Sequence, residues 1–312
     1  MKTIGSKGKE IVRRRSKWLY KELGELPVFL SPLLTRHGEL SHAFTTRLGG
    51  SSKPPFESFN VGSVDSAQSR KDLMSNRARL CKTLGATFER LVVPDMSHSD
   101  VVAVVQGPGP RPKADGIVTE VQDIPVLLTF ADCVPVIIFD PANKVVAVLH
   151  AGWRGTASNI AGKAVRLLQR QCGSKAGDLV AAIGPAIGSC CYPTGIDVAN
   201  ALLASMMASL AESNAGSQAK GPQAPSENEG GSATVDAFLA KINEVSLEDF
   251  FLKGNEKVHP DLKSINAWHL YQAGVSQIDL NELCTACRPE LFYSHRQSGG
   301  QTGRQGAIAC LS

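Results

Sequence analysis

Cys133 and His150 are the two side chains in this chain whose types and spacing most directly suggest chemistry. They flank a segment that reads as a β-hairpin: the apolar run from Val134 to Phe139, then Asp140-Pro141-Ala142-Asn143, then the apolar run from Val145 to Leu149. Asp-Pro-x-Asn suits a type I turn, because proline fixes φ at the second position and aspartate bonds back to the backbone. With those four residues as the loop, Phe139 pairs with Lys144, and counting outward pairs Cys133 with His150. Directly opposed residues hold their Cβ atoms roughly 4.5–5.5 Å apart. A thiol and an imidazole at that distance can share a metal ion or act as nucleophile and base. A third ligand would complete a zinc site with one open position. The candidates are His98, His42, His37, His259, His269 and His295. His98 is favoured because it lies in a polar loop, Ser97-His98-Ser99-Asp100, between apolar runs. His269 falls within a helix and reads as a partly exposed face residue.

The elements that must position these groups alternate without a strict strand–helix–strand rhythm, which favours an α+β domain with a mixed sheet over a doubly wound sheet. The stretch to about Leu26 reads as an appended helix. Ser41 to Thr46 reads as a strand entering the Gly49-Gly50 turn, and Ser66 to Leu84 as a helix stopped by Gly85. Leu91 to Val105 reads as a strand pair around the His98 loop. A helix is expected from about Ala157 to Arg170, a buried strand at Leu179–Ile183, and helices at Asp197–Leu210 and Asp261–Ala273. Leu291 to Leu311 reads as a strand, a glycine-rich loop and a last strand. Glu212 to Ala233 is rich in Ser, Gly, Gln, Asn and Pro with no apolar period, and reads as a disordered insertion. The domain reading is therefore a basic N-terminal extension at 1–27 and a single catalytic domain at 28–312, with that insertion at about 212–233.

Composition limits the function classes. The net charge of +4 is local: seven Lys/Arg and one acid fall in Met1–Trp18, and the remainder carries 26 basic against 28 acidic residues. No broad basic face for nucleic acid follows. No apolar run is long enough to span a bilayer, and no apolar segment follows the basic start as a signal peptide would require. Eight cysteines in such a chain suggest reduced thiols and a cytoplasmic protein. Cys190-Cys191 and Cys284-x-x-Cys287 are the only close spacings, and they read as packed or incidental thiols.

The residues around the hairpin resemble a family. Ala131-Asp132-Cys133-x-Pro135, then His150-Ala-Gly-Trp-Arg-Gly-Thr156, Gly184-Pro-x-Ile-Gly-x-Cys-Cys-Tyr192, and Thr302-Gly-Arg304 are similar to the laccase-domain proteins. These are the YfiH-type family first described as polyphenol oxidoreductase laccases and later as purine nucleoside phosphorylases. The resemblance runs from about Phe29 to Leu311 outside the insertion. It implies a zinc site at His98, Cys133 and His150, which would be catalytic and metal-binding at once. It implies phosphorolysis of adenosine and inosine, with guanosine and S-methyl-5′-thioadenosine as further substrates, and deamination of adenosine. It also implies a mixed β-sheet sandwich flanked by helices, similar to the catalytic domain of cytotoxic necrotizing factor toxins. The chain departs from the family at Met96-Ser97, where Gln-Val is usual, at Pro193, where Glu is common, and at Gly62-Ser63-Val64-Asp65, where His and paired acids are common.

Phosphorolysis needs a held phosphate, a stabilised oxocarbenium-like sugar and help for the departing base. Arg47 in its Gly-flanked turn and Arg154 just after His150 are the phosphate candidates, because guanidinium offers bidentate contacts. Arg296 and Arg304 are weaker ones. Deamination asks for an activated water, which zinc can provide by lowering its pKa to about 7. Asp132 reads as a structural acid on the opposite strand face, which leaves the proton shuttle unassigned. The expected partners are purine nucleosides and phosphate, with no nucleic acid or membrane, and the expected state is a monomer.

Three rival readings stay open. A cysteine hydrolase or deamidase would use Cys133 as nucleophile and His150 as base. A structural zinc module would need four protein ligands. A copper-dependent polyphenol oxidase would need a rich histidine supply, and the chain has seven histidines with no His-x-His pair.

Overall fold

The computed structural model describes residues 18–62, 70–216, 250–253 and 257–312. Two antiparallel-rich sheets form the centre. The first has five strands: β1 (Leu19–Leu23), β2 (Leu26–Leu30), β3 (Leu40–Thr45), β6 (Val126–Phe130) and β13 (Gln305–Leu311), in the order β1-β2-β3-β13-β6. The second has six: β4 (Val102–Val104), β5 (Gly116–Thr119), β7 (Val134–Asp140), β8 (Val145–Ala151), β9 (Val180–Ile183) and β12 (Gln277–Leu280), in the order β12-β9-β7-β8-β5-β4. A small hairpin pairs β10 (Phe251–Lys253) with β11 (Val258–Pro260). The helices are α1 (Arg70–Thr83), α2 (Trp153–Ala157), α3 (Ile160–Cys172), α4 (Ile196–Gly216) and α5 (Leu262–Gln272).

The side-chain parity of β7 and β8 explains the layering. Both strands are buried along their whole length, which is why each reads as an unbroken apolar run. Val136, Ile138, Ala147 and Leu149 pack with Val165 and Leu168 of α3 and Ile265 of α5. Ile137, Phe139, Val146 and Val148 face the other way, onto Phe44, Leu128, Phe130 and Ala307 of the first sheet. The outer face of the first sheet packs Val28, Ala43 and Ile308 against Leu80 and Cys81 of α1. The result is a mixed two-sheet sandwich with helices on both outer faces, as expected.

Several local expectations change. Leu19–Leu23 is a strand paired with β2, not part of a helix, so the sheet begins before residue 28. The rest of the basic extension, residues 1–17, lies outside the described residues, as do 217–233 of the expected insertion. Residues 212–216 continue α4. The helix expected from about Ala157 to Arg170 is α3, starting at Ile160, and a separate short helix, α2, precedes it. Asn159 separates the two with a left-handed backbone (φ 53°), and its side chain accepts from Gly162 N–H to start α3. The Leu91–Val105 region forms no hairpin: β4 pairs in parallel with β5, and Val92 and Asp95 make only isolated bridges. Leu291 sits in a turn that leads to β13.

The β7–β8 register also differs from the count. Asp140 pairs with Val145 and Pro135 with His150. Asp140 stays in the strand while its carboxylate accepts from the Ala142 and Asn143 amides, and Lys144 takes a left-handed conformation at φ 54°. The loop is therefore 141–144, and Cys133 lies two residues beyond the partner of His150.

Candidate metal centre and cavity

His150 is the last residue of β8 with the parity of Val146 and Val148, so its ring emerges between the sheets at their open end. There it lies 5.3 Å from the Phe130 ring. Cys133 has the parity of Ile137 and Phe139 and joins the same side just ahead of β7. His98 arrives on the loop before β4, with a left-handed backbone at φ 59°. Its ring centroid is 5.0 Å from that of His150. One ligand atom from each of His98, Cys133 and His150 lies within 4.8 Å of the others.

Asp115, just ahead of β5, builds this arrangement, and no motif in the sequence singles it out. The β5–β8 ladder sets Gly116 against Leu149, so Asp115 falls beside His150, whose N–H donates to the Asp115 carbonyl at 2.7 Å. The buried carboxylate collects five donors. Oδ1 takes His150 Nδ1–H at 2.9 Å and the His98 amide at 3.0 Å. Oδ2 takes the Ser97 and Ser99 amides and the Ser99 hydroxyl. One acid thus fixes the His150 tautomer, leaving Nε2 as the ligand nitrogen, and folds the His98 loop. Burial pushes the Asp115 carboxyl up, but the bonds from His150, Ser99 and Ser97 outweigh it and hold it well below the usual carboxylate range.

Burial also pushes the Cys133 thiol up, yet the His150 and His98 imidazoles outweigh it and bring it down to about 6. Burial pushes His150 down, and the adjacent Cys133 and Asp115 raise it to about 9. The pair therefore favours thiolate and imidazolium, the charge state that a soft cation exploits by displacing the imidazolium proton. A thiolate and two imidazoles suit zinc, and three protein ligands leave an open position.

Gly152 makes room for the trio. A Cβ there would lie 3.1 Å from Cys133 Sγ and 3.2 Å from His98 Cδ2. Gly152→Ala is expected to displace one of these ligands and weaken zinc binding by about tenfold or more, in line with the 10–100-fold cost of disturbing a ligand's support. Zinc titration against a competing chelator checks this; unchanged affinity would show that the ligands have slack.

The trio lies in the wall of a cavity of about 410 Å³, within the roughly 300–1,000 Å³ of small-molecule sites. Tyr192, His295, Arg296 and Arg304 complete its polar wall. Arg296 stacks on the Tyr192 ring at 5.0 Å. Asp132 also lines the cavity, contrary to its expected orientation, because it precedes β7 in a left-handed bend at φ 88°. Its carboxylate accepts from the Thr285 hydroxyl and the Arg296 amide, so its role is to hold the loop carrying Arg296.

The two arginines favoured from sequence lie outside the cavity lining, although the charge of Arg154 acts on the cavity residue Tyr192. Arg47 donates to the Glu57 and Pro289 carbonyls and stacks on Tyr293. Arg154 lies over the Trp153 ring. Neither lines the cavity, whereas Arg296 and Arg304 do. The other histidines are also accounted for. His42 accepts from the Ser31 amide. His37 packs on Phe139. His259 Nδ1 meets the Ser189 carbonyl. His269 is fully buried between Ser205 and Ser209 rather than partly exposed. No helix among the described residues is long and apolar enough to cross a membrane.

Comparisons with known proteins place this site in context. The family model described as "Multi-copper polyphenol oxidoreductase laccase" matches residues 41–224 and 221–312. A purine nucleoside phosphorylase, YlmD of Geobacillus stearothermophilus, is 35% identical over 272 residues, covering 83% of this chain and 86% of that protein. An adenosine deaminase, RL5 of an unknown prokaryotic organism, is 29% identical, covering 74% of this chain and 79% of its own. The crystal structure of G. stearothermophilus YlmD superposes with a TM-score of 0.72 at 31% identity, covering 91% of this chain and 96% of that one. That of the Bacillus licheniformis hypothetical protein YfiH gives 0.73 at 29% identity with the same coverage. The chain belongs to this YfiH/YlmD-type laccase-like family, whose relatives include proteins named purine nucleoside phosphorylases.

Proposed function

We propose that this protein is a zinc-dependent purine nucleoside phosphorylase acting on adenosine and inosine, with adenosine deamination as a second activity at the same site. The observation that carries the reading is one cavity wall holding the His98–Cys133–His150 donor set beside two guanidinium groups. The names of the relatives support the substrate class. Zinc held by the three residues would supply a Lewis acid and lower the pKa of a water at the open position.

In phosphorolysis a phosphate oxygen bonds to C1′ of the ribose while the bond from C1′ to the purine nitrogen breaks. Its electron pair leaves with the base, which takes up a proton. Arg296 and Arg304 would bind the phosphate and offset its charge. Asp132 would keep Arg296 in place through its backbone. Tyr192 and Ile187 would offer the apolar surface for the nucleoside. His295 is the cavity imidazole outside the donor trio, and we assign it delivery of the proton to the base.

The phosphate assignment has a direct test. Arg304→Ala is expected to raise KM for phosphate by about 10–100-fold, the worth of a charge-assisted hydrogen bond of roughly 1.5–3 kcal/mol. KM for the nucleoside should move far less, and zinc content should not change. An equal rise for both substrates, or loss of zinc, would count against it.

The Cys133–His150 pair also fits a hydrolase nucleophile, given the lowered thiol. The presence of His98 in the trio and the Asp115 tether on its loop favour the metal reading, since a Cys–His pair needs neither.

A further inference from the structure

Four cysteines that the nucleoside chemistry does not use converge behind the cavity. Cys190 and Cys191 lie in the turn Ser189–Cys191, between the cavity residues Ile187 and Tyr192. Cys284 and Cys287 come nearly a hundred residues later in the chain, on the stretch that leads to His295 and Arg296. The two segments meet through a bridge between Ala186 and Cys284 and through the Thr285 amide, which donates to the Ala186 carbonyl. The four Sγ atoms lie within 4.8 Å of one another. Cys287 Sγ is 3.6 Å from Cys190 Sγ and 3.3 Å from Cys191 Sγ. All four are free thiols.

We propose that Cys190, Cys191, Cys284 and Cys287 form a second metal site, a closed tetrathiolate that binds zinc and braces the cavity wall carrying Tyr192, His295 and Arg296. Zinc–sulfur bonds of about 2.3 Å in a tetrahedron separate the sulfurs by about 3.8 Å, close to the contacts seen. Four thiolates with no open position are the donor set of a structural site, unlike the two-imidazole, one-thiolate set at Cys133. The surroundings suit the resulting net negative charge. The Gly188 N–H donates to Cys284 Sγ at 3.2 Å. The buried ammonium of Lys263, held by the Asn281 and Leu283 carbonyls, interacts with the charges of Cys284 and Cys190. Cys190 and Cys287 are exposed, which gives the ion an entry path. Binding releases the thiol protons to solvent and needs no oxidant.

The site braces function through one chain of contacts. Thr285, next to Cys284, donates to Asp132, whose other oxygen accepts the Arg296 amide. Losing the metal would loosen this wall, and none of the four cysteines belongs to the His98–Cys133–His150 set.

The test is metal content of the full chain, with cobalt as a spectroscopic probe. The unaltered protein should hold about two zinc ions, one in each donor set. Cys133→Ala should keep about one, and its cobalt form should show intense thiolate-to-cobalt charge transfer with tetrahedral ligand-field bands. Cys287→Ser should lose one zinc and the sulfur-rich cobalt spectrum. Because a substitution could disturb folding, alkylation of the unaltered protein provides a second readout: these four thiols should resist iodoacetamide until a chelator is added. A Cys133→Ala protein without metal, ready alkylation with zinc present, or a mass showing a disulfide among the four would each overturn the proposal. Iron or copper in the cluster would overturn the zinc assignment. No nucleoside enters these measurements, so their outcome is independent of the phosphorylase reading.

Discussion

Cys133→Ala is expected to lose the zinc held with His98 and His150 and to lower kcat/KM for phosphorolysis by at least about 10³-fold, roughly 4 kcal/mol of transition-state stabilisation. A methyl group cannot ligate, and the two remaining imidazoles would hold zinc too weakly to survive a chelator. Alanine keeps the Cβ and removes only the sulfur at a position just ahead of β7, so the sandwich itself should be little affected. Elemental analysis, steady-state kinetics and a thermal melt on one preparation check all three. The same thiol separates the two enzyme readings. With zinc bound, Cys133 should resist alkylation. Once the metal is stripped, its lowered pKa makes thiolate the main form above about 6, so the alkylation rate should level off there rather than climb through the ordinary thiol range near 8.5. Unchanged zinc and activity within tenfold of the parent in Cys133→Ala would remove Cys133 from the site.

Asp115→Asn should produce the next largest effect, although Asp115 lies outside the donor trio. The carboxylate accepts from two side chains and three amides. An amide nitrogen at either oxygen position would face donors instead of accepting from them. The expected results are a 10–100-fold loss of zinc affinity, as for other outer-sphere partners, and a loss of about 1–3 kcal/mol of stability from the buried unsatisfied groups. The pH dependence follows from the depressed carboxyl. Its stabilising contribution is present above the unfolded carboxylate pKa near 4 and declines as pH falls below that value. The difference in melting temperature between parent and Asp115→Asn, measured without zinc, should therefore be widest near neutrality and shrink in acid. A constant difference across that range would mean that the carboxylate charge contributes nothing.

Much of the site was legible because the β-strand period is two. The turn assignment placed Cys133 directly opposite His150, whereas Pro135 occupies that position. A slip of one residue would have sent Cys133 to the helix side; a slip of two keeps it on the face of His150. The error arose at the loop ends: Asp140 stays in the strand and Lys144, with its left-handed backbone, joins the loop, so the four-residue loop sits one position later than Asp-Pro-x-Asn announces. His98 was legible as a polar interruption between apolar runs. Asp115 was not, because its role depends on β5 pairing with β8 across some thirty residues. The arginines favoured from sequence differ from those lining the cavity for a related reason. A glycine-flanked turn and closeness in sequence to His150 favoured Arg47 and Arg154, but both lie outside the cavity lining, the first against the Glu57 and Pro289 carbonyls and the second exposed over the Trp153 ring. Arg296 and Arg304 reach the cavity only because the C-terminal segment folds back over the end of the sandwich. The four cysteines show the same limit, since two close pairs become one cluster only through the Ala186–Cys284 bridge. Leu19–Leu23 shows the opposite case: a short amphipathic stretch next to a basic run looks helical until a neighbouring strand takes up its backbone hydrogen bonds.

The most direct test of the account is the phosphate dependence of nucleoside cleavage by zinc-loaded protein. Adenosine and inosine are incubated with the parent and with Cys133→Ala, with and without inorganic phosphate, while free base and ribose-1-phosphate are followed. Base release is expected only with phosphate, matched mole for mole by ribose-1-phosphate, and lost together with the zinc in Cys133→Ala. Base release that ignores phosphate, or no nucleoside turnover by protein carrying zinc at His98, Cys133 and His150, would contradict it.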